Sequence, residues 1–492
     1  MAPITDNLDP SAVELPGSLL IGGDRIDRSS GGTHAHIFPG TGRPNGTVQL
    51  AGAAEIDLAV ESSRNAQREW ISLTADRRRD LLIDLADAVH EHLAEFSRLN
   101  VQDYAVPISL AINTLLLERF LRHFAGYVDK PHGLSTPAAE SFDLNLIERE
   151  PYGVVGVIAP WNGAMVVAAS CVAPALAAGN AVVFKPSPVA PFAALRFGEL
   201  CTEVGLPPGL VNVVPAGPEG GAALVRHSGI GKIHFTGGGT TARKILATAA
   251  ENLVPVVAEL GGKSANIVFE DADLDAAAQL SAYQGPIVQS GQSCACASRV
   301  LVHESVYDAF LERFVATVES ARVGDPFDPT VVFGPVVSAS EADRILGVID
   351  RAVSVGAGEL LTGGKRMGGE LAEGYFIEPT VFADVDNRSD LARAETFGPV
   401  VSVMRFTDEA EAIRIANDSP YGLNAFIQTT NLTRAHRVSR LLQAGSVWIN
   451  QLSDISPQGP YGGYKHSGFG RTGGLEGLYE FLQVKNIRIG MG

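Results

Sequence analysis

From Val154 to Phe235 the chain alternates between short runs that are apolar throughout and longer segments with helical spacing. The runs are Val154–Pro160, then 181–185, 210–214 and 231–235; the helical segments are about 165–178, 191–204 and 219–227. A strand that is apolar on both faces must be covered on both faces. Repeated strand–helix–strand order then demands a parallel, doubly wound sheet. Such sheets bind nucleotides outside the carboxyl ends of their strands. A second block of the same kind starts after Glu259. It runs through Ile267-Val268-Phe269, Val300-Leu301-Val302, a helix over 304–320, the stretch Gly398 to Phe406, and Val447 to Asn450.

The flanks read differently. Residues 1 to about 15 form a loose arm, and Leu19-Leu20-Ile21 a short strand. Asp57–Trp70, Asp80–Leu93 and Leu115–Tyr127 carry amphipathic helical spacing, most simply core. His34 and His36 fall in a Gly/Thr loop without a third ligand and are assigned no role. Pro131 to Arg149 turns into an alternating strand, Phe142–Ile147, part of a protruding hairpin; the glycine-rich tail regains strand character at Val484–Ile489.

Length and charge narrow the class. A chain of 492 residues holds about three domains or subdomains. A net charge of −17 argues against nucleic acid and anionic membranes as partners, since both want basic patches. No apolar run is long enough to span a bilayer, and the polar, acidic start does not read as a signal peptide, so a cytoplasmic enzyme is expected. The four cysteines are too few and scattered for a disulfide framework, and Cys294-Ala295-Cys296 has no second pair nearby to make a zinc site; no metal is expected.

Chemistry concentrates on one turn, Gln289-Ser290-Gly291-Gln292-Ser293-Cys294-Ala295-Cys296, between an apolar stretch and a strand. Polar turns on rigid scaffolds present reactive groups, although a free cysteine by itself is more often a small buried hydrophobe. Three further strand ends matter. Glu259 precedes Gly261-Gly262, where a carboxylate can act as a general base, cap a helix or sit on the surface. Phe235-Thr236-Gly237-Gly238 opens a helix whose backbone N–H groups can hold a pyrophosphate. Pro160-Trp161-Asn162 offers a side-chain amide to a developing oxyanion.

In this order the motifs resemble the aldehyde dehydrogenase superfamily, from about residue 20 to 490. Lys185-Pro186-Ser187, Glu395-Thr396-Phe397-Gly398-Pro399 and Tyr461-Gly462-Gly463-Tyr464-Lys465-His466-Ser467-Gly468 complete the set. The resemblance implies an α/β fold of two doubly wound parallel-sheet domains plus a small β oligomerisation element. The nucleotide-binding domain takes 1–128 and 150–260, the catalytic domain 261–465, and the oligomerisation element 129–149 and 466–492. It implies an oxidoreductase, a homodimer or homotetramer, that converts a small-molecule aldehyde to a carboxylic acid. Cys294 matches the nucleophile, Asn162 the oxyanion donor and Glu259 the base; Cys296 matches nothing. NAD, with NADP tolerated, would lie against Ile158, Ala159, Pro160, Trp161, Lys185, Ser187, Pro188, Gly217, Gly221, Phe235, Thr236, Gly237, Gly238, Leu260, Gly261, Glu395 and Phe397. Gly163, Val167, Ser170, Ser293, Ala295, Ile455 and Tyr461 would line the substrate tunnel.

The sequence departs from the family pattern at four places: Gly163-Ala164 stands for Phe-Pro, Gln289 for Asn, Gly238 for Ser, and Pro188 for the acidic residue after the ribose-binding lysine. The first two bear on substrate preference and the last two on the cofactor. The small residues at 163, 167 and 170 predict a wide apolar tunnel. Two alternatives stand beside hydrolytic oxidation: a CoA-acylating enzyme, which Glu259 argues against, and a non-catalytic protein that keeps the fold, which the presence of Cys294, Glu259 and Asn162 opposes.

Overall fold

The computed structural model describes residues 13–111, 113–137 and 143–490. Most of the expected N-terminal arm, and Phe142 of the expected hairpin strand, lie outside the described residues.

The first sheet has eight strands, in the order Asp24–Ile26, Leu19–Ile21, Val211–Val213, Ala181–Lys185, Val154–Ile158, Lys232–Thr236, Val256–Glu259 and Gly468–Phe469. Its five central strands are parallel, and the strands at either side are antiparallel. Val154–Ile158 and Ala181–Lys185 are buried at every position, as their unbroken apolar runs require. The winding reverses between Val154–Ile158 and Lys232–Thr236, which opens a crevice at their carboxyl ends.

The second sheet has seven strands: Glu359–Thr362, Thr380–Ala383, Val400–Phe406, Arg299–His303, Ala265–Val268, Asn424–Gln428 and Ser446–Ile449. All pair in parallel except the first, an antiparallel edge. A third sheet joins Leu134–Pro137, Leu144–Pro151 and Leu482–Ile489, the last two in register over eight residues. The tail reaches it late. Gly468–Phe469 first pairs with Val256–Glu259 of the nucleotide-type sheet.

Two helices begin earlier than the apolar periodicity suggests, because their first turns are capped by polar groups. Ala53–Ser72 starts where the Glu55 carboxylate accepts from the Gly52 N–H at 2.8 Å. Ala75–Glu91 starts at Thr74, whose hydroxyl accepts from the Arg77 N–H at 3.2 Å. The expected loop at His34 and His36 is instead the strand Thr33–Phe38, and His36 is buried against the carbonyls of Asp103 and Val189 at 3.0 and 2.9 Å.

The helix after Asn162 is not uniform. It runs as α-helix over Ala164–Val167, widens to a π turn over Ala168–Val172, and resumes at Ala173–Ala177. Pro174 lacks an N–H and its ring crowds the carbonyl four residues back, that of Ser170, so the backbone widens there. A second π turn, Tyr283–Ile287, contains Pro286 and leads into the Cys294 turn. Among the described residues no helix is long and apolar enough to cross a membrane.

Candidate active site

Strand register brings distant residues to one rim. Lys185 pairs with Ile158, Ile158 lies beside Phe235, and Thr236 pairs with Glu259. The Cys294 turn closes over this rim from the second sheet.

That turn is strained and held on both sides. Gln289 and Ser290 have φ of 51° and 54°, unusual for residues with side chains. At Gly291, φ is 69°, and a Cβ would come within 2.1 Å of the Gly398 carbonyl oxygen, so only glycine fits. The Gln292 side chain anchors the turn: it donates to Gln289 and Pro335 carbonyls at 3.1 and 3.2 Å and accepts from the Val337 N–H at 2.8 Å. Gln284 bridges the Ala295 carbonyl, at 3.0 Å, and the Ser453 N–H, at 3.0 Å. Neither role is legible in sequence, because the partners lie 43 and 169 positions away for Gln292–Pro335 and Gln284–Ser453.

Asn162 meets the same turn. Its Nδ2 donates to the Gln292 carbonyl at 2.9 Å, which leaves the second amide hydrogen available. Glu259 is buried, and neither carboxylate oxygen has a hydrogen-bond partner. Burial holds this carboxyl well above its ordinary range; Arg471 acts in the opposite direction and Glu480 in the same one. A Cβ on Gly462 would lie 2.8 Å from its Oε1.

Cys294 is half-buried, whereas Cys171, Cys201 and Cys296 are buried. Burial pushes the Cys294 thiol up to about 12; the charges of Glu395 and Glu259 act the same way, and the Tyr461 hydroxyl acts against them. Cys296 is also raised to about 12, by burial first. Access, not acidity, therefore separates the two thiols. The Cys296 N–H is turned inward onto the Ser293 carbonyl at 3.1 Å.

On the nucleotide side the rim is open. Cβ atoms at Gly217 and Gly238 would meet nothing within 4 Å, and one at Gly221 would touch only the Lys185 methylenes, from 3.6 Å. Gly217 and Gly238 precede the helices Pro218–Arg226 and Gly239–Ala249. Lys185 is buried, donates to the Pro186 carbonyl at 3.2 Å, and is lowered to about 8 by burial. Glu395 lies over the glycine turn, where the Gly262 N–H donates to it at 2.9 Å and a Cβ on Gly261 would collide at 2.0 Å. Phe397 stands edge-on to Trp161, ring centres 5.6 Å apart. An open backbone cradle with a buried, under-partnered ammonium fits a pyrophosphate-bearing cofactor. Ser187 turns its hydroxyl onto the Val189 N–H at 3.3 Å, beside half-buried Pro188. Ala159 donates to the Lys185 carbonyl at 3.0 Å, and Leu260 to Ser467 at 3.0 Å. Among the described residues no group of three or more His, Cys, Asp and Glu could hold a metal.

The expected tunnel residues are less uniform than their spacing suggested. The Val167 N–H bonds the Gly163 carbonyl at 3.0 Å, and a Cβ on Gly163 would meet only Val166, from 3.6 Å. Ser170 falls inside the π turn, where helical spacing no longer applies. Ser293 turns its hydroxyl onto the Ala295 N–H at 3.2 Å. Ile455 packs with Cys294 against the Trp448 and Tyr461 cluster. Tyr461 is buried in that cluster, its hydroxyl accepting from the Asn424 side-chain amide at 3.2 Å.

Comparison with known proteins gives the family. The model of the aldehyde dehydrogenase family matches residues 26–487. The structure of γ-glutamyl-γ-aminobutyraldehyde dehydrogenase from Burkholderia cenocepacia J2315 is similar at TM-score 0.94 and 39% identity, covering 98% of each chain. Betaine aldehyde dehydrogenase from Staphylococcus aureus, in complex with NAD+, is similar at TM-score 0.94 and 34% identity, covering 97% of this chain and 96% of that one. PnpE from Pseudomonas sp. WBC-3, also solved with nicotinamide adenine dinucleotide, is similar at TM-score 0.93 and 39% identity, covering 96% and 98%. Matched over residues 26–487 by the family model and over 96–98% of its length by these structures, the chain belongs to the aldehyde dehydrogenase family and is an NAD(P)-dependent aldehyde dehydrogenase.

Proposed function

We propose that this chain oxidises an aldehyde to its carboxylic acid by hydrolytic turnover at Cys294, with NAD as the preferred cofactor. One observation carries the reading. A half-buried thiol, an amide bonded to the same turn, and a desolvated carboxylate meet between the carboxyl ends of the first sheet's strands and the amino ends of the second's.

As thiolate, the Cys294 sulfur attacks the aldehyde carbon; the C–S bond forms as the carbonyl π pair moves onto oxygen. The spare Asn162 amide hydrogen and the Cys294 backbone N–H hold the resulting oxyanion. When bound, NAD supplies the acceptor for the hydride that leaves this carbon. What remains on Cys294 is a thioester. Glu259 takes one proton from water, the hydroxyl adds to the acyl carbon, and the sulfur leaves as thiolate. Lys185 and Glu395 would hold the two ribose hydroxyl pairs, Gly217, Gly221, Gly237 and Gly238 the phosphates, and Trp161 and Phe397 the nicotinamide side. Pro188 brings no carboxylate to repel a 2′-phosphate, so NADP is tolerated, with NAD ahead.

Small residues at Gly163 and Val167 support a wide apolar tunnel, and thus medium-to-long aliphatic, terpenoid or aromatic aldehydes over acetaldehyde. The nucleotide-binding unit takes 1–128 and 150–260 with the edge strand Gly468–Phe469, the catalytic unit 261–465, and the oligomerisation element 129–149 and the rest of 466–492. The third sheet ends in an edge strand, Leu482–Ile489, with Val484 and Ile489 exposed, which suits pairing with a second copy as a homodimer or homotetramer.

Glu259→Gln tests the base. We expect a burst of NADH followed by slow turnover, because thioester hydrolysis becomes limiting. In the wild type the deacylation rate should rise with pH, since a raised carboxyl must first lose its proton. Stability gives an independent check. A carboxyl raised in the folded state stabilises below the ordinary carboxyl pKa, and that stabilisation is lost as pH rises through the raised value. Glu259→Gln should therefore gain in Tm over the wild type as pH rises. Wild-type turnover in this variant would sink the general-base role.

A further inference from the structure

His36 takes no part in the reaction, yet its side chain is buried and ties together segments far apart in the chain. Its Nε2 lies 2.9 Å from the Val189 carbonyl oxygen and 3.0 Å from that of Asp103, 153 and 67 positions away. Carbonyls only accept, so this nitrogen carries a hydrogen that the two share. On the other side of the ring, Nδ1 lies 2.5 Å from the Asn45 Oδ1. The Asn45 Nδ2 donates to the backbone and side-chain oxygens of Gln102 at 3.2 and 2.9 Å, which keeps the amide oxygen turned to the ring. The ring packs on that of Phe192, centres 4.6 Å apart.

The surrounding chain is built for this contact. In the hairpin of Thr33–Phe38 and Arg43–Gln49 the register shifts after His36, which pairs with Gly46, while Ile37 pairs with Pro44. Asn45 is thus the extra residue of a bulge, a device that re-aims a side chain. A Cβ on Gly46 would lie 3.1 Å from the Phe192 ring, so the hairpin sits close on the helix Phe192–Glu203. The buried Asp103 carboxylate accepts from the Phe192 and Ala193 N–H groups at 2.8 and 3.1 Å, in the first turn of that helix. Between this helix and the strand Ala181–Lys185 runs the loop 186–191. Its Ser187 carbonyl accepts from the Ala190 N–H at 3.1 Å, and its Val189 side chain packs in one cluster with Tyr104 and Trp161. His36 therefore pins the middle of the loop, and Asp103 its far end.

We propose that His36 is a positioning residue for the cofactor: by holding the Val189 carbonyl it keeps the loop 186–191 in the shape that receives the adenosine ribose, and so sets cofactor affinity without touching the reacting atoms. Asn45 supports the ring in that position. The inference rests on Lys185 and this loop forming the ribose site. A loop that holds its binding shape only part of the time weakens the apparent affinity by that fraction. Events at Cys294, on the other side of the crevice, are left as they are. Packing alone would need no polar ring here, since an apolar side chain of similar size fills the same space.

The test is steady-state kinetics and ADP-ribose binding by calorimetry on the full-length enzyme carrying His36→Leu or His36→Gln. Leucine has no donor, whereas glutamine offers two amide hydrogens, one for each carbonyl. His36→Leu should raise the KM for NAD and the Kd of ADP-ribose by about tenfold, because two buried carbonyls lose their donor and the loop loosens. Its kcat and aldehyde KM should stay within about twofold of the wild type. His36→Gln should recover most of the loss, to within about threefold of the wild type. Asn45→Ala should weaken both ligands in the same direction but less. An unchanged KM for NAD in His36→Leu would overturn the proposal. So would a fall in kcat with both ligands bound as before, or a glutamine variant no better than the leucine one, since either is the mark of packing alone. Should His36→Leu not fold, Asn45→Ala decides, and unchanged NAD and ADP-ribose binding there overturns the proposal. Lys185→Met separates this inference from the reading beneath it. If that variant keeps the wild-type KM for NAD, the loop is not the ribose site and both fall; if it raises the KM while His36→Leu does not, only the role of His36 falls.

Discussion

The two parallel sheets meet at one crevice but furnish it in opposite ways. The nucleotide-type sheet contributes absence: Gly217 and Gly238 leave open space, and Gly221 faces only the stem of Lys185. The second sheet contributes constraint. Gln289 and Ser290 are held in the left-handed region, Gly291 is wedged against Gly398, and Gln292 ties the turn to residues 335–337. A long cofactor is gripped by backbone and helix ends, which need side chains out of the way. A covalent step needs one atom aimed closely, and strain is tolerated where surrounding bonds over-determine it. The same contrast appears in glycine usage. One rim uses glycine for room, and the other for a backbone approach so close that any Cβ would collide.

The largest expected effect lies on the constrained side. Cys294→Ser should lower turnover by about 10⁴ or more, while NADH binding, followed by fluorescence, stays intact. Cys296→Ala should keep most activity. Equal losses at both cysteines would erase the distinction that access draws between them.

Asn162→Ala removes an oxyanion donor and should cut kcat by roughly 10²–10³. An effect seen in KM alone would make Asn162 a ground-state contact.

The glycines test the contrast directly. Gly291→Ala must relieve both a positive φ and a 2.1 Å approach to backbone, so it should cost about 2–4 kcal/mol of stability and much of the activity. Gly238→Ala has space and φ of −77°. It should change stability by less than about 0.5 kcal/mol and register in NAD affinity instead. Denaturant titration of both variants decides; equal destabilisation would mean that the two rims are not built differently.

The smallest effect concerns the tunnel. Each additional buried CH₂ contributes up to about 0.8 kcal/mol, so kcat/KM should rise at most severalfold per carbon across a short aldehyde series. Gly163→Phe should depress large aldehydes more than small ones. If acetaldehyde is the best substrate, or if the variant affects all chain lengths alike, the tunnel is not wide.

Much of this was readable in the chain itself. Unbroken apolar strands such as Val154–Ile158 can exist only between two covering layers, so the parallel sheet follows from local composition. The motif order from Asn162 to Tyr461 identified the family, which the family model matches over 26–487. Other features were decided by long-range packing. The first turn of Ala75–Glu91 carries few apolar residues, and that of Ala53–Ser72 is set by the Glu55 cap, so periodicity misses both starts. His36 belongs to a strand because Asn45, Asp103 and Val189 surround it, not because of its neighbours in sequence. The π turn around Ser170 breaks the one-face argument for the tunnel, although Pro174 signalled it. The roles of Gln292 and Gln284, and the Asn424–Tyr461 hydrogen bond, had no local signal. Each depends on partners that only the closed fold brings within hydrogen-bond reach, and a hydrogen bond is too short-ranged and directional to be specified by sequence spacing alone.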